Sequence, residues 1–212
     1  MNRGFDIVAA GAGVILLGPL LLAIGVAVAL ADGFPVVFRQ TRVGRNGARF
    51  SLLKFRSMRT GVAGARITAD EDCRVTALGR VLRRYKLDEL PQLWNVLRGD
   101  MSVIGPRPEV PAFVDLESPV WREVLSVRPG ITDLASLMYR DEERLLAGSA
   151  DTEAHYREVI LPDKLALNIV YLRTRSFVRD LRIILLTAAS SLFPRTFDAR
   201  RVRHCLFEIQ TL

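Results

Sequence analysis

From Ile7 to Ala31 the chain carries 25 consecutive residues without a charge, bounded by Asp6 and Asp32. As a helix rising ~1.5 Å per residue, such a run is long enough to cross the ~30 Å hydrocarbon core of a bilayer. A membrane-embedded helix over residues 1–32 is therefore the first expectation. A cleaved signal peptide fits less well, because the run exceeds the usual apolar core of a signal and only Arg3 precedes it. Gly18-Pro19 falls in the middle of the run, where proline removes one helical hydrogen bond and crowds the preceding turn, which predicts a sharp kink. Arg39, Arg42, Arg45 and Arg49 follow. By the positive-inside tendency they place the remainder, residues 33–212, on the cytoplasmic side. The same arginines are candidates for gripping lipid headgroups, with a solvated role as the plain alternative.

The net charge of +7 is segregated along the chain rather than spread. Gly33 to Lys86 holds thirteen Lys and Arg against three Asp and Glu, whereas Leu87 to Ala150 holds six against eleven. One half is built to bind anions. At the junction, in KLDELPQLWNVLRGDMSVIGPRPE (Lys86 to Glu109), stands the adjacent pair Asp88-Glu89. A helix starting near Asp88 tolerates Pro91 in its first turn and ends naturally at Gly99. Both carboxylates then lie at its positive end, where free N–H groups and the helix dipole favour the ionised form. The pair is expected to be charged at neutral pH, which suits a nucleophile or metal ligand better than a proton donor. The bland reading makes Asp88 an N-cap and Glu89 a solvated first-turn acid. The basic surroundings favour a phosphate-handling site instead.

The remainder predicts an α+β fold, mostly α, in one globular unit, since no linker, repeat or low-complexity tract interrupts it. Pro35 to Arg39 and Arg49 to Phe55 are expected to form a hairpin around Gly44 to Gly47. Arg80 to Tyr85, Leu90 to Leu97 and Phe177 to Phe193 mix Arg with large apolar residues at helical spacing, as interfacial helices do, and as helices packed on a core also do. A helical pattern runs from Leu161 to Leu192. Arg59 to Thr76 reads as a loop, solvated or folding over substrate, and Arg195 to Leu212 as a basic tail. Cys73 and Cys205 lack metal-site spacing, and His155 and His204 lie far from the acidic pair. The basic block and a pI near 10.1 raise nucleic acid as a partner, but no nucleic-acid-binding motif accompanies them, so none is expected.

The runs KFRSM (Lys54 to Met58), LDELPQLWNVLRGDMS (Leu87 to Ser102), IGPRPE (Ile104 to Glu109) and VRPGIT (Val127 to Thr132) resemble, in order and spacing, the bacterial sugar transferases of the monotopic polyprenyl-phosphate phosphoglycosyl transferase family. The resemblance covers the chain from its apolar segment to about Thr132. It implies transfer of a sugar-1-phosphate from a UDP-sugar to a polyprenyl (undecaprenyl) phosphate at the bacterial inner membrane, with release of UMP. Asp88 is then the nucleophile, forming an aspartyl phosphosugar that the lipid phosphate resolves. Such chemistry brings an anion to an anionic phosphorus, so cations must cancel charge: Mg²⁺, with Asp88 and Glu89 as its expected ligands, and Lys54, Arg56, Arg83, Arg107 and Arg128 as candidates for a phosphate clamp. The resemblance also implies a re-entrant helix that enters and leaves the membrane lipids on one face, broken at Gly18 and Pro19, followed by a cytoplasmic catalytic domain. A homodimer is left open. After VRPGIT many relatives continue with Gly, whereas this chain has Asp133, and the donor sugar is not legible from the region Asp133 to Glu142. The alternative is a basic, membrane-anchored binding or scaffold protein without catalysis, against which the retained acids stand.

Overall fold

The computed structural model describes residues 2–59, 72–147, 151–194 and 197. Its first element, α1 (Arg3–Asp32), opens on Asn2, whose side chain accepts from the Gly4 N–H, and closes at Gly33 with φ 76°. Large apolar side chains cover its outward surface, with Ile15 79% and Leu16 78% exposed, so the helix carries no complete core of its own. Among the described residues it is the one helix long and apolar enough to cross a membrane. It runs through Gly18-Pro19 as a single element with Pro19 inside. Helical hydrogen bonding thus continues past the expected break: proline deletes only its own N–H, and the bonds of its neighbours carry the helix through Gly18-Pro19.

Both ends of α1 are held by the same globular body. At the N-terminal end the Arg3 guanidinium donates to the Val96 and Leu97 carbonyls, at 2.6 and 2.8 Å. The buried Asp6 carboxylate accepts from Ser102 Oγ at 2.8 Å and the Val103 N–H at 3.0 Å. At the C-terminal end Ile24 and Val28 pack with Phe55 and Leu82, and Thr76 Oγ1 donates to Asp32 at 3.0 Å. Arg56 donates to the carbonyls of Asp32 and Gly33, supplying donors where the helix leaves its last carbonyls unpaired.

The hairpin follows. Strands β1 (Val37–Val43) and β2 (Arg49–Phe55) pair antiparallel from Val37 opposite Phe55 to Val43 opposite Arg49. The first strand is longer than expected, because Arg42 points to the Pro108 carbonyl and Glu109 rather than to solvent. Next come α2 (Ala77–Arg84), capped by Thr76 Oγ1 on the Gly79 N–H, and α3 (Gln92–Arg98), closed by Gly99 with φ 93°. The expected helix from Asp88 is divided: Leu87–Glu89 form a 3-10 turn, and the α-helix proper starts only at Gln92.

A second sheet was not foreseen. Strands β3 (Ser102–Ile104) and β4 (Gly130–Thr132) pair in parallel, Ser102 opposite Gly130 and Ile104 opposite Thr132. The two strands meet so closely that a Cβ on Gly130 would collide with the Gly105 backbone, and one on Gly105 with the Arg128 carbonyl. This pairing joins the IGPRPE and VRPGIT segments side by side.

Helices α4 (Pro119–Val124), α5 (Leu134–Met138), α6 (Glu142–Leu146) and α7 (Thr152–His155) complete the body, and a π-helical turn Tyr156–Ile160 leads from α7 into α8 (Leu161–Thr174). The predicted helix from Leu161 to Leu192 is broken after Thr174, where Ser176 caps α9 (Phe177–Leu192) by accepting from the Arg179 N–H. Helix α9 buries Asp180, Ile183 and Ser190 and exposes Phe177, Val178, Leu181 and Leu185. Trp121, Leu125, Leu146, Tyr156 and Leu161 form the core that joins α4, α6 and α8. The expected loop from Arg59 to Thr76 and the basic tail fall largely outside the described residues.

Candidate active site

Lys86 takes a left-handed conformation, φ 56° and ψ 22°, sparsely populated for a residue with a side chain. It turns the chain from α2 into the Leu87–Glu89 turn, which buries both acids, leaving Asp88 4% and Glu89 8% exposed. Glu89 is the hub of three segments. Lys54 of β2 donates to its Oε1 at 3.0 Å. Arg107 grips both oxygens, Nη1 on Oε2 at 3.1 Å and Nη2 on Oε1. Arg107 is itself fixed: its N–H donates to Asp133 Oδ2 at 3.1 Å, and the Gly130 N–H to the Pro106 carbonyl at 3.0 Å.

Asp88 differs from its neighbour. Its Oδ1 is buried without a hydrogen-bond partner. Burial pushes the Asp88 carboxyl above the ordinary aspartate value, opposed by Lys54 and supported by the adjacent Glu89. Burial also pushes Glu89 up, but Arg107 and Lys54 together overcome it and hold that carboxyl well below the usual range. The two acids are thus separated electrostatically. For Glu89 the cations favour the ionised form expected of the pair, whereas for Asp88 burial works against it, and the α-helix with its N-terminal N–H groups begins only at Gln92. Lys54, removed from water, is lowered, with Glu89 as the main opposing influence.

The acids open on a cleft of about 490 Å³ that Lys54, Arg56, Arg83, Lys86 and Arg107 also line. Arg83 meets Glu143 and donates to Met58 Sδ at 3.4 Å. Of the predicted clamp, Lys54, Arg83 and Arg107 are brought together. Arg56 reaches the cleft wall but spends Nη2 on the end of α1. Arg128 lies elsewhere, its Nε on the Gly99 carbonyl at 3.0 Å, and lines a separate cavity. Its charge could be read from the sequence; its direction could not.

Several cleft residues escaped the sequence reading. Tyr156 donates to Glu109 Oε1 at 2.5 Å, while Lys164, 5% exposed, donates to Glu142 at 2.9 Å and to Tyr156 Oη at 3.2 Å. Burial and Glu109 drive the Tyr156 hydroxyl far above its ordinary value, so it acts as a donor. Arg42 completes the group, 3.7 Å from Glu109 and bonded to the Pro108 carbonyl at 3.0 Å. The network pins the end of the Arg107 loop. One signal was available: Tyr156 and Lys164 stand eight apart, on one face of a helical pattern otherwise apolar there. Asp133 is wholly buried as a backbone anchor, whereas Glu142 and Glu143 line the cleft.

A divalent ion finds a partial fit. The free Asp88 Oδ1 is a ready oxygen ligand, but both Glu89 oxygens are engaged by cations. No group of three or more His, Cys, Asp or Glu able to hold a metal occurs among the described residues. This suits an ion that takes few protein ligands, keeps its water and arrives with phosphates, as Mg²⁺ does.

An apolar helix clasped at both ends adjoins a cleft where one acid is held by cations and a second has an unpartnered oxygen, an arrangement suited to anionic substrates beside a membrane. The sequence model of the bacterial sugar transferase family matches residues 1–194, and the chain belongs to that family. It is 42% identical, over 90% of its length and 69% of the relative's, to the UDP-glucose:undecaprenyl-phosphate glucose-1-phosphate transferase of Caulobacter vibrioides. It is 37% identical to the exopolysaccharide production protein PSS of Rhizobium leguminosarum bv. phaseoli, covering 91% of this chain and 95% of that one. It is 45% identical to the UDP-N-acetylgalactosamine-undecaprenyl-phosphate N-acetylgalactosaminephosphotransferase of Aeromonas hydrophila over 66% of its length, but spans only 34% of that protein.

Proposed function

We propose that this protein moves a sugar-1-phosphate from a UDP-sugar to undecaprenyl phosphate, opening the membrane stage of a polysaccharide or glycoconjugate pathway. The observation that carries the reading is Asp88, which lines a cleft with Lys54, Arg83, Lys86 and Arg107 and whose buried Oδ1 has no hydrogen-bond partner. Asp88 attacks the sugar-bearing phosphorus. The bond to the departing phosphate oxygen breaks and UMP leaves with the electron pair. An oxygen of the lipid phosphate then attacks the same phosphorus, the bond to Asp88 breaks, and the carboxylate is regenerated beside a lipid-linked sugar diphosphate.

The cations lower the repulsion between nucleophile and diphosphate and stabilise the charge that develops on the equatorial oxygens. Arg83 becomes available when a phosphate replaces Glu143. Glu89 holds Lys54 and Arg107 next to Asp88. Mg²⁺ would be held by Asp88 with the substrate phosphates, and by Glu89 only on exchange of a cationic partner; when bound it neutralises diphosphate charge. The test is UMP release by purified protein from a panel of UDP-sugars, with and without undecaprenyl phosphate. We expect release confined to one or two sugars, sustained by the acceptor, abolished by a chelator and restored by Mg²⁺. Full activity in excess chelator would remove the metal from the scheme, and silence across the panel in folded protein would overturn the reaction.

The re-entrant arrangement of α1 draws support from its two anchors. A spanning helix would carry Arg3 and Asp6 to the opposite side of the bilayer from Asp32, yet all three bond to one body. That body then lies on the cytoplasmic face of the inner membrane, where nucleotide sugars are found. In sealed inside-out vesicles, Asn2→Cys in a background with Cys73 and Cys205 replaced by Ser should react with an impermeant thiol reagent, as catalytic-domain sites do. Reaction only from the other face would show a spanning helix.

A further inference from the structure

We propose that a second anion site, distinct from the catalytic cleft, holds the phosphate headgroup of a membrane phospholipid. It is a cavity of about 360 Å³ lined by Arg45, Arg128 and Arg175 together with Asp6, Ser102 and Ser126, and it shares no lining residue with the cleft around Asp88. The inference rests on the reading of α1 as membrane-embedded.

The three arginines come from separate parts of the chain: the hairpin turn, the segment before β4, and the joint between α8 and α9. Two are fastened at one edge only, Arg45 through Nε to the Ser126 carbonyl at 3.1 Å and Arg128 through Nε to the Gly99 carbonyl at 3.0 Å. That leaves the terminal nitrogens of each without a described protein partner. Such a fork, fixed at Nε, is already oriented for two oxygens of one phosphate, so less freedom is lost on binding. The one acid in the cavity, Asp6, offsets only part of this charge, and its Oδ1 is already taken by Ser102 Oγ and the Val103 N–H. Three guanidinium groups against one engaged carboxylate favour an anionic guest.

The location identifies its source. Asp6 lies in the first turn of α1 and is followed by the outward-facing Ile7 and Val8. Arg175 is followed closely by Phe177 and Val178, 62% and 59% exposed. These flanks meet, the Phe5 and Phe177 rings lying edge to face with centroids 6.0 Å apart. The cavity thus adjoins a continuous apolar border that acyl chains can cover, which a free anion has no use for. A headgroup held there would steady α1 and α9 against each other at the bilayer surface.

The test is a thermal-shift titration of full-length protein in neutral detergent with phosphatidylglycerol, phosphatidylcholine or inorganic phosphate, for the native chain, Arg45→Gln/Arg175→Gln, and Arg175→Gln alone. We expect a saturable stabilisation by phosphatidylglycerol, an apparent affinity weaker by about tenfold or more in both variants, and a far smaller response to the other two ligands. An undiminished response in the folded variants, or an equal response to phosphatidylcholine, would overturn the site. An equal response to inorganic phosphate would make it a free-anion site and overturn the lipid assignment. UMP release is measured alongside, since neither substituted arginine lines the cleft. Loss of catalysis in the native chain with the lipid response intact would count against the reaction alone. A lipid response lost with catalysis preserved would count against this site alone.

Discussion

Asp88→Asn is expected to abolish turnover and, at the same time, to make the ligand-free protein more stable. Activity should fall by about 10³-fold or more, because an amide cannot form the acyl phosphate through which the two half-reactions pass. Stability should rise by roughly 1–2 kcal/mol, since Oδ1 is buried without a hydrogen bond and a neutral group of the same shape is easier to desolvate. For a chain of this size that corresponds to an increase in Tm of about 3–6 °C in detergent. The opposed signs matter more than either size. A structural aspartate would lose stability on substitution, whereas a carboxylate held in a disfavoured state for chemistry gains it. Turnover within about tenfold of the native value would remove Asp88 as nucleophile, and a lower Tm would mean that its unpaired oxygen has a structural partner.

What the sequence disclosed and what it hid divide along the distance between interacting residues. Strand β2 could be read because Arg49 to Phe55 is rich in large apolar residues and follows a glycine-containing turn. Strand β1 was cut short because Gln40 and Arg42 look solvated until Glu109 and Pro108 are folded against them. Three-residue strands such as β3 and β4 are too short to show a period, and only the close approach of Gly105 and Gly130 explains their composition. The acidic pair and its basic neighbourhood were visible as charge segregation. Charge alone, however, did not distinguish Arg107, which points to Glu89, from Arg128, which points to the Gly99 carbonyl. Tyr156 and Lys164 were hidden for the same reason: Glu109 and Glu142, which give them meaning, lie on other elements.

Arg107→Gln should have the reverse effect on stability. Arg107 is the bidentate partner of a carboxylate whose side chain is only 10% exposed, and the pair is made within the protein rather than at its surface. Removing one member leaves Glu89 to Lys54 alone, an under-compensated buried charge that costs roughly 3 kcal/mol. Tm should fall by about 6–10 °C. UMP release should fall by about 10²-fold or more, through loss of one cation at the diphosphate and through the freedom Lys54 and Glu89 gain beside Asp88. Arg107→Lys separates these contributions: it retains a charge but cannot hold both Glu89 oxygens in one plane, so it should recover part of the stability and less of the activity. Full recovery of both by lysine would mean that charge alone suffices and that the fork geometry at Glu89 is incidental. An unaltered Tm in Arg107→Gln would mean that Lys54 by itself neutralises Glu89, and the role of Arg107 would then reduce to contact with the substrate.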